Sequence, residues 1–344
     1  MEPSWTSTEF GKTSDGRTIT SYTLKGVGGA ELEVLDYGGK IRRLAVPDRA
    51  GVCENVAVSL DFSKPGFGGS LIGRYANRIG EGRFTIDGVA YQLPTNGQGG
   101  GVPLTLHGGA DGFHDKIWAV TPFVNGTDVG LTLNYTSPES ESGFPGTLSV
   151  KVVYTLTAEN TWRIDWTATT NKATPVNFTH HVYFNLSGEK RLPVSDEILT
   201  LFAKAYTPVG PTMVPTGEIR PVAGTEFDFT APQAIGARFN GMYDHNFCLD
   251  TSNELKPAAT VEDPATGRRL EALTTEPGIQ VYAGGAFTEA LKDQFGRTLF
   301  PFAGLALETQ GWPDSVNRPE FPNTILRSGE TFHSTTEYRF SVFE

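Results

Sequence analysis

The chain has 344 residues, of which 38% are hydrophobic and 19% are charged, so it can bury a large core and is not a disordered chain. Its formal net charge of -11 gives an acidic surface that repels phosphate backbones, which argues against a nucleic-acid partner. The sequence has no run of about 18 apolar residues, so no membrane partner is expected. Its N-terminus lacks the basic and apolar regions of a secretory signal, which favours a cytoplasmic protein.

Alternation of apolar and polar residues predicts half-buried β-strands along much of the chain. In chain order the alternating segments are 83–93, 129–135, 147–157, 162–170 and 336–343. The first is a predicted hairpin, because Asp87 and Gly88 supply the usual two-residue turn between its two runs. Only segment 286–296 shows a modest helical pattern. Short strands separated by turn residues predict an all-β sandwich or barrel in one domain, 1–344.

Two polar clusters interrupt the first half of this pattern. Arg74, Asn77 and Arg78 lie among glycines in segment 73–84, just before the hairpin. Loops carried on rigid sheets often hold binding groups, although a turn with solvated arginines is the simpler alternative. His107 follows an apolar strand-like run and precedes two glycines, which permit close approach of a ligand or of backbone. A purely structural histidine is the alternative for His107.

The segment 177–186, NFTHHVYFNL, contains two adjacent histidines. If it is one strand, adjacent side chains point to opposite faces of the sheet. His181 then shares a row of hydrogen-bonding groups with Tyr183, while His180 lies in an apolar row. Alternation therefore favours His181 for proton chemistry and favours packing for His180, with an influence of His180 on its neighbour as the alternative.

The C-terminal half contributes further polar residues. Asp244 lies in segment 241–250, and Gln280 follows a Pro-Gly turn. Glu308 comes directly after an apolar strand, and Trp312 follows it in a loop. A carboxylate at the end of an apolar strand is costly to bury without a purpose or a partner. The sequence pattern leaves two roles open for Glu308: catalysis, and an ion pair with an arginine.

Several kinds of chemistry lack support in the sequence. The six histidines show no HxxxH or HExxH spacing, so no metal site is predicted, and neither GxSxG nor a P-loop occurs. Cys53 and Cys248 are far apart and are expected to be two buried free thiols, with a disulfide as the alternative. What remains is proton transfer by a histidine and a glutamate among amides, arginines and aromatic rings, which suits a sugar.

The motifs that carry these residues resemble the aldose 1-epimerase, or galactose mutarotase, family from about residue 8 to the C-terminus. In order they are GRYANRI, LHGG, HHVYFNLSG, YTPVGPTMVPTGEI, GTEFDF, YDHNF, PGIQVY and ALETQGWPDSVNRPEFPNTIL. The resemblance implies one large antiparallel β-supersandwich with few short helices, a small-molecule sugar substrate and no cofactor. We expect a monomer or a weak homodimer.

The resemblance also implies a role for each matching residue. His181 matches the catalytic acid and Glu308 the catalytic base. The sugar-binding groups are matched by Asn77, Arg78, His107, Asp244 and Gln280, with Tyr183 and Trp312 as further possible contacts. Five positions depart from the usual family pattern, which bears on the choice of sugar more than on the reaction: His114, His180, Gly285, Gly311 and Trp312.

The chemistry expected of such a site is exchange of the α- and β-anomers of a free aldohexose such as glucose or galactose. A base removes the proton on O1 while an acid protonates the ring oxygen O5, and the two groups reverse their roles on closure. Two alternatives stay open: a related enzyme that acts on another cyclic hemiacetal or a biosynthetic cyclisation, and a sugar-binding module without catalysis. A glycoside hydrolase needs two carboxylates that flank the bond, and the motifs argue against it.

Overall fold

The structure is a computed structural model that describes residues 2–62, 66–238 and 243–344. Thirty short strands dominate it. The first fifteen are β1 Ser4–Lys12, β2 Thr18–Lys25, β3 Glu31–Leu35, β4 Ile41–Pro47, β5 Cys53–Asn55, β6 Ala57–Val58, β7 Leu71–Ile72, β8 Arg78–Gly80, β9 Arg83–Ile86, β10 Val89–Gln92, β11 Gly97–Gly99, β12 Val102–Leu106, β13 Ala119–Asn125, β14 Asp128–Ser137 and β15 Leu148–Leu156. The others are β16 Thr161–Thr170, β17 Thr174–Pro175, β18 Thr179–His180, β19 Tyr183–Phe184, β20 Ile198–Leu201, β21 Ala205–Thr207, β22 Arg220–Pro221, β23 Gln233–Ala234, β24 Asp244–Cys248, β25 Lys256–Asp263, β26 Arg268–Thr274, β27 Gly278–Tyr282, β28 Leu305–Gln310, β29 Ile325–Leu326 and β30 Thr331–Val342.

The helical content of the described chain consists of short 3-10 turns. They are Phe113–Asp115, Glu141–Gly143, Gly188–Lys190, Val194–Asp196, Ile235–Arg238 and Ser315–Asn317. None of the described helices has the length and apolar character needed to cross a membrane. The predicted helix at 286–296 is wrong. The Asp293 carboxylate accepts the backbone N–H groups of Phe295 and Arg297, both at 2.9 Å, and this local bonding favours a turn over a helix.

Three antiparallel sheets account for most of the strands. The largest has nine strands in the order β13-β14-β15-β16-β30-β26-β25-β20-β23. A seven-stranded sheet has the order β22-β21-β24-β27-β28-β19-β6, and a five-stranded sheet runs β1-β2-β3-β4-β5. The strands predicted at 129–135, 147–157, 162–170 and 336–343 all lie in the nine-stranded sheet. Alternation identified them because each has one buried and one more exposed face.

The main hydrophobic core lies between the nine-stranded and seven-stranded sheets. Tyr338 of β30 packs its ring against Phe184 of β19 with ring centroids 4.9 Å apart, and its hydroxyl donates to the Leu307 carbonyl of β28 at 2.7 Å. The largest buried apolar cluster extends from Leu24 to Phe340, so both ends of the chain contribute to one core. The single domain over 1–344 stays a prediction.

Two sequence predictions about burial need correction. Arg74 is not a solvated loop arginine, because its guanidinium is buried and donates to the Ser137 hydroxyl and to the carbonyls of Ser137, Pro138, Pro145 and Gly146. Both cysteines are free, as expected, but neither is fully buried. Cys53 is exposed because β5 lies at the edge of the five-stranded sheet.

The predicted hairpin is confirmed. Ile86 pairs with Val89, and the two turn residues, Asp87 and Gly88, have φ angles of 51° and 80°. A Cβ atom at Gly88 meets nothing within 4 Å, so a side chain there costs only the energy of its left-handed backbone. We therefore expect Gly88→Ala to lower the free energy of unfolding by about 1 kcal/mol in urea titrations.

Gly11→Ala is the matched control for this hairpin prediction. Gly11 also has nothing within 4 Å of an added Cβ, but its φ is not positive. We expect the free energy of unfolding of Gly11→Ala to stay within about 0.5 kcal/mol of the wild type. Equal losses in the two variants would contradict the backbone explanation.

Candidate active site

One face of the seven-stranded sheet brings distant polar residues into register. Gln280 of β27 pairs directly with Asn246 of β24 on one side and with Glu308 of β28 on the other. Two residues further along the same face, Tyr282 pairs with Asp244 and with Ala306. Side chains opposite each other on neighbouring strands lie about 5 Å apart, so Glu308, Gln280 and Asp244 form one polar surface.

His181 lies at the edge of this surface. The predicted single strand over 177–186 is wrong in one respect, because the chain forms two short strands, β18 and β19, that pair with different sheets. Between them the backbone of His181 is fixed by its N–H, which donates to the Ser70 carbonyl at 2.8 Å, and by its carbonyl, which accepts from Gly69 at 2.6 Å. Its Nε2 lies 3.7 Å from Oε1 of Glu308.

His180 points the other way, as alternation predicts. Its ring contacts those of Trp162 and Tyr154, with centroid distances of 4.9 and 5.9 Å, and its Nε2 lies 3.4 Å from the Gly39 carbonyl. It is buried in the interior between the sheets. The structure therefore favours packing over a direct contact with the polar surface.

His107 and Asn77 approach the same surface from the loops after β12 and before β8. The Nδ1 atom of His107 accepts the Asn77 backbone N–H at 3.1 Å, while the His107 N–H donates to the Asn77 carbonyl at 2.9 Å. Both residues have positive φ, of 52° and 60°, so the reciprocal bonds hold a sharp backbone turn. A neutral ring that accepts through Nδ1 carries its proton on Nε2. The His107 ring packs edge-on against His181, with centroids 5.1 Å apart.

Arg78, Asp244 and Gln280 form a hydrogen-bonded chain beside the histidines. Asp244 accepts from the Arg78 guanidinium at 2.9 Å through Oδ2 and from the Gln280 amide at 2.6 Å through Oδ1. Arg78 also donates to the Asn77 side-chain oxygen at 3.2 Å. The Arg78 and Asp244 side chains are only 15% and 14% exposed, so solvent screens this pair less than a surface ion pair. The first two residues of segment 241–250 lie outside the described residues.

Burial controls the protonation of this site. It raises the pKa of Glu308 well above its usual value, and the nearby Asp244 charge adds to this while Arg78 opposes it. Burial lowers the pKa of His181 to about 4 and that of His107 well below its ordinary value. At neutral pH, both rings are therefore uncharged. Glu308 is not paired with an arginine among the described residues, and its Oε2 atom has no hydrogen-bond partner there.

A nitrogen of each of His107 and His181 and an oxygen of Glu308 all lie within 4.8 Å of one another. Two imidazoles and a carboxylate are also a donor set that suits a transition metal. The absence of a bound metal stays a prediction.

The two predicted aromatic contacts differ in position. The Tyr183 ring lies 4.9 Å from His181, so Tyr183 belongs to the cluster. The Trp312 indole N–H donates to the Pro277 carbonyl at 2.7 Å, and its ring packs against Phe321. These contacts do not join Trp312 to the histidines, and its contact with substrate stays a prediction.

Two residues of the cluster were not identified from the sequence. Phe67 lies between His107 and His114, with ring centroids 4.8 and 4.6 Å away. Nothing in its glycine-rich segment indicated this position. Tyr282 comes two residues after Gln280 in β27 and therefore lies on the same face. Alternation along this strand was a signal that could have identified Tyr282.

Comparisons with known proteins identify the family. The family model described as aldose 1-epimerase matches residues 20–339. The chain belongs to the aldose 1-epimerase family. It is 40% identical to the galactose mutarotase of Mus musculus over 347 residues, with 98% of each chain covered. It is 34% identical to the aldose 1-epimerase of Escherichia coli K12 over 343 residues, with 95% of this chain and 96% of the other covered.

A solved relative has the same fold as this aldose 1-epimerase family member. The galactose 1-epimerase of Lactobacillus acidophilus matches with a TM-score of 0.87 and 26% identity, over 100% of both chains. The predictions of the family, of a mutarotase-like all-β fold and of an isomerase that interconverts sugar anomers are thereby confirmed.

Proposed function

We propose that this protein interconverts the α- and β-anomers of free aldohexoses such as glucose and galactose, with Glu308 as the base at O1 and His181 as the acid at O5. Asn77, Arg78, His107, Asp244 and Gln280 bind and orient the sugar in this proposal. Tyr183 supplies an apolar ring surface beside it.

The observation that supports this assignment is the 3.7 Å separation of His181 Nε2 and Glu308 Oε1. O1 and O5 of an aldopyranose are bonded to the same carbon, so the groups that exchange protons with them must also lie close together. Both side chains are buried, which strengthens their interactions with a bound sugar. A site that only binds sugar does not require such a pair.

The reaction can run on one proton shared by the pair. With ionised Glu308 and charged His181, the carboxylate takes the O1 proton while the imidazolium gives its proton to O5, and the ring opens to an aldehyde. The pair is then a neutral carboxylic acid and a neutral imidazole, which is the state that burial favours. Rotation about C1–C2 and reversal of both transfers close the ring as the other anomer and restore the charged pair.

The remaining polar groups can stabilise the charge that moves during these steps. His107 carries its proton on Nε2 when neutral, because Nδ1 already accepts the Asn77 N–H. The Nε2–H group of His107 and the Arg78 guanidinium can donate to sugar oxygens. Asp244 holds Arg78 and Gln280 in position through its two oxygens.

We expect kcat/KM to fall on the acid side at a pH near 4. Burial lowers the pKa of His181 to about 4 and raises that of Glu308 well above its usual value, so the two groups share one proton in the proposed cycle. Below that pH, His181 is protonated as well as Glu308, so neither group can act as a base. On the alkaline side, loss of the last proton leaves the pair without an acid. A pH–rate profile, with fluorescence to verify folding, tests this; an acid limb at the ordinary histidine value of about 6.5 would contradict it.

Asp244→Asn tests the binding chain. Asparagine cannot form the ion pair with Arg78, and one side-chain oxygen is lost as an acceptor. We expect KM for galactose to rise about tenfold, with a smaller change in kcat, because a buried charged hydrogen bond is lost. Steady-state kinetics measures this. Asp250→Asn, an exposed aspartate just past the end of the same strand, is the control and should leave KM unchanged. A collapse of kcat with unchanged KM would contradict the binding role.

The substrate is tested by following the optical rotation of freshly dissolved α-anomers of glucose and galactose with and without the protein. Faster relaxation of either sugar supports the proposal, and the ratio of the two rates gives the preference. No acceleration on any aldose would reject it and favour another cyclic hemiacetal. Because His114, His180, Gly311 and Trp312 depart from the usual family pattern, this measurement also decides which sugar is preferred.

Three further properties stay predictions. They are a cytoplasmic location, a monomer or weak homodimer, and the absence of nucleic-acid and membrane partners.

A further inference from the structure

A groove of about 840 Å³ lies near the candidate active site but does not contain it. Its lining includes Pro277 and Gly311, which flank the ends of β27 and β28, and the first residues of β30. A strand rises about 3.3 Å per residue, so Gly311 lies roughly 10 Å along the chain from Glu308. None of the residues assigned above to sugar binding or catalysis lines this groove.

Glu276 is the unexplained group in the groove. Its side chain is 7% exposed, and its Oε1 atom has no hydrogen-bond partner among the described residues. Burial raises the pKa of Glu276 to about 7, an effect that the nearby Ser334 hydroxyl opposes. A buried carboxyl oxygen without a partner is costly. A ligand that donates a hydrogen bond would remove this cost.

The rest of the lining defines which ligand would fit. The lining combines hydroxyl and amide side chains with apolar ones, among them Asn253, Thr275, Asn323, Phe332, Ser334 and Thr335. Within the described part of the chain the lining contains neither lysine nor arginine, so a phosphate or other anion would face carboxylates without a cationic partner. Scattered hydroxyls, amides and a carboxyl beside apolar surface match the alternating O–H and C–H groups of a neutral sugar.

We propose that this groove is a second, non-catalytic binding site for a neutral pyranose ring, with Glu276 and Ser334 bonding its hydroxyls and Phe332 supplying apolar contact. The other acid or base side chains of the described lining, Glu330 and His333, are exposed, so this lining contains no buried acid–base pair like His181 and Glu308. The groove therefore binds a sugar without turning it over. This proposal does not depend on the catalytic assignment.

Hydrogen–deuterium exchange with a sugar that cannot mutarotate tests the proposal. Methyl β-D-galactopyranoside and methyl β-D-glucopyranoside at millimolar concentrations are the probes, and the acyclic polyol sorbitol is the control ligand. We expect either glycoside, but not sorbitol, to slow exchange in segments 274–278 and 330–336. Unchanged exchange in both segments with both glycosides would overturn the proposal.

Two variants connect the protection to the groove. Glu276→Gln keeps the shape of the side chain, and Asn253→Ala changes an exposed rim residue, so we expect both variants to fold. We expect each variant to weaken the protection of segments 274–278 and 330–336 by the glycosides. For Glu276→Gln, the glycoside concentration that gives half of the full protection should rise about tenfold. Protection of segment 304–310, which contains Glu308, should be unaffected. Loss of protection at both places together would show one continuous site and overturn the proposal.

The outcome is separable from that of the proposed function. If the protein accelerates no mutarotation but the groove segments are protected, only the catalytic proposal fails. If mutarotation is fast and the groove segments are unprotected, only the second site fails.

Discussion

Glu308→Gln should lower kcat for galactose mutarotation at least about a hundredfold while KM changes little. Glutamine keeps the size and one hydrogen-bonding oxygen of the side chain but cannot take the O1 proton. A positioned general base contributes roughly 10²–10⁴-fold to rate, so this loss is expected to appear in kcat. Polarimetric initial rates measure it, and circular dichroism verifies the fold.

Glu197→Gln is the matched control for this change. Glu197 is also a buried glutamate with one unpartnered oxygen, and burial raises its pKa to about 8. It accepts the Leu186 backbone N–H, away from the histidine cluster, and glutamine can accept the same bond. We expect its kcat to stay within about twofold of the wild type. Near-normal turnover in Glu308→Gln, or equal losses in both variants, would reject Glu308 as the base.

His181→Asn is expected to have an effect of similar size, because asparagine cannot deliver a proton to O5. We predict a fall in kcat of at least about a hundredfold. Added imidazole should partly restore the rate if the loss is one of proton transfer and the space left by the ring admits the small molecule. The measurement is the same polarimetric assay with and without imidazole.

His180, the residue next to His181, provides the matched control for His181→Asn. His180→Asn alters the neighbouring ring on the opposite face, where it packs against Trp162 and Tyr154. We expect kcat within about threefold of the wild type and a loss of about 1–3 kcal/mol in the free energy of unfolding, because the interior loses ring contacts. If His180→Asn reduced kcat as much as His181→Asn, the separation of the two histidines by face would be wrong.

Local periodicity predicted much of the fold and the orientation of the histidine pair. The strands of the nine-stranded sheet each have a buried face, so their apolar residues recur at every second position. The same rule separated His180 from His181 even though the segment is two short strands and not one. The hairpin at Asp87 and Gly88 followed from turn chemistry alone.

The assembly of the site could not be predicted from the residues alone. Glu308, Gln280 and Asp244 meet because β28, β27 and β24 pair in one register, and Gln280 lies 36 residues after Asp244 in the chain. The family resemblance indicated that these three residues belong to one site. The alternation of apolar and polar residues alone left two roles open for Glu308, catalysis and an ion pair with an arginine. The burial of Arg74 and the exposure of Cys53 depend on what covers each residue, which local sequence does not report.

The most direct test of the central claim is the relaxation of optical rotation of α-D-galactose and α-D-glucose, followed with the wild type, Glu308→Gln, His181→Asn and the two control variants at equal protein concentration. We predict rapid relaxation of at least one sugar with the wild type, Glu197→Gln and His180→Asn, and rates at least about a hundredfold lower with the two site variants. Rapid relaxation with either site variant, or none with the wild type, would contradict the assignment of Glu308 and His181 as the acid–base pair.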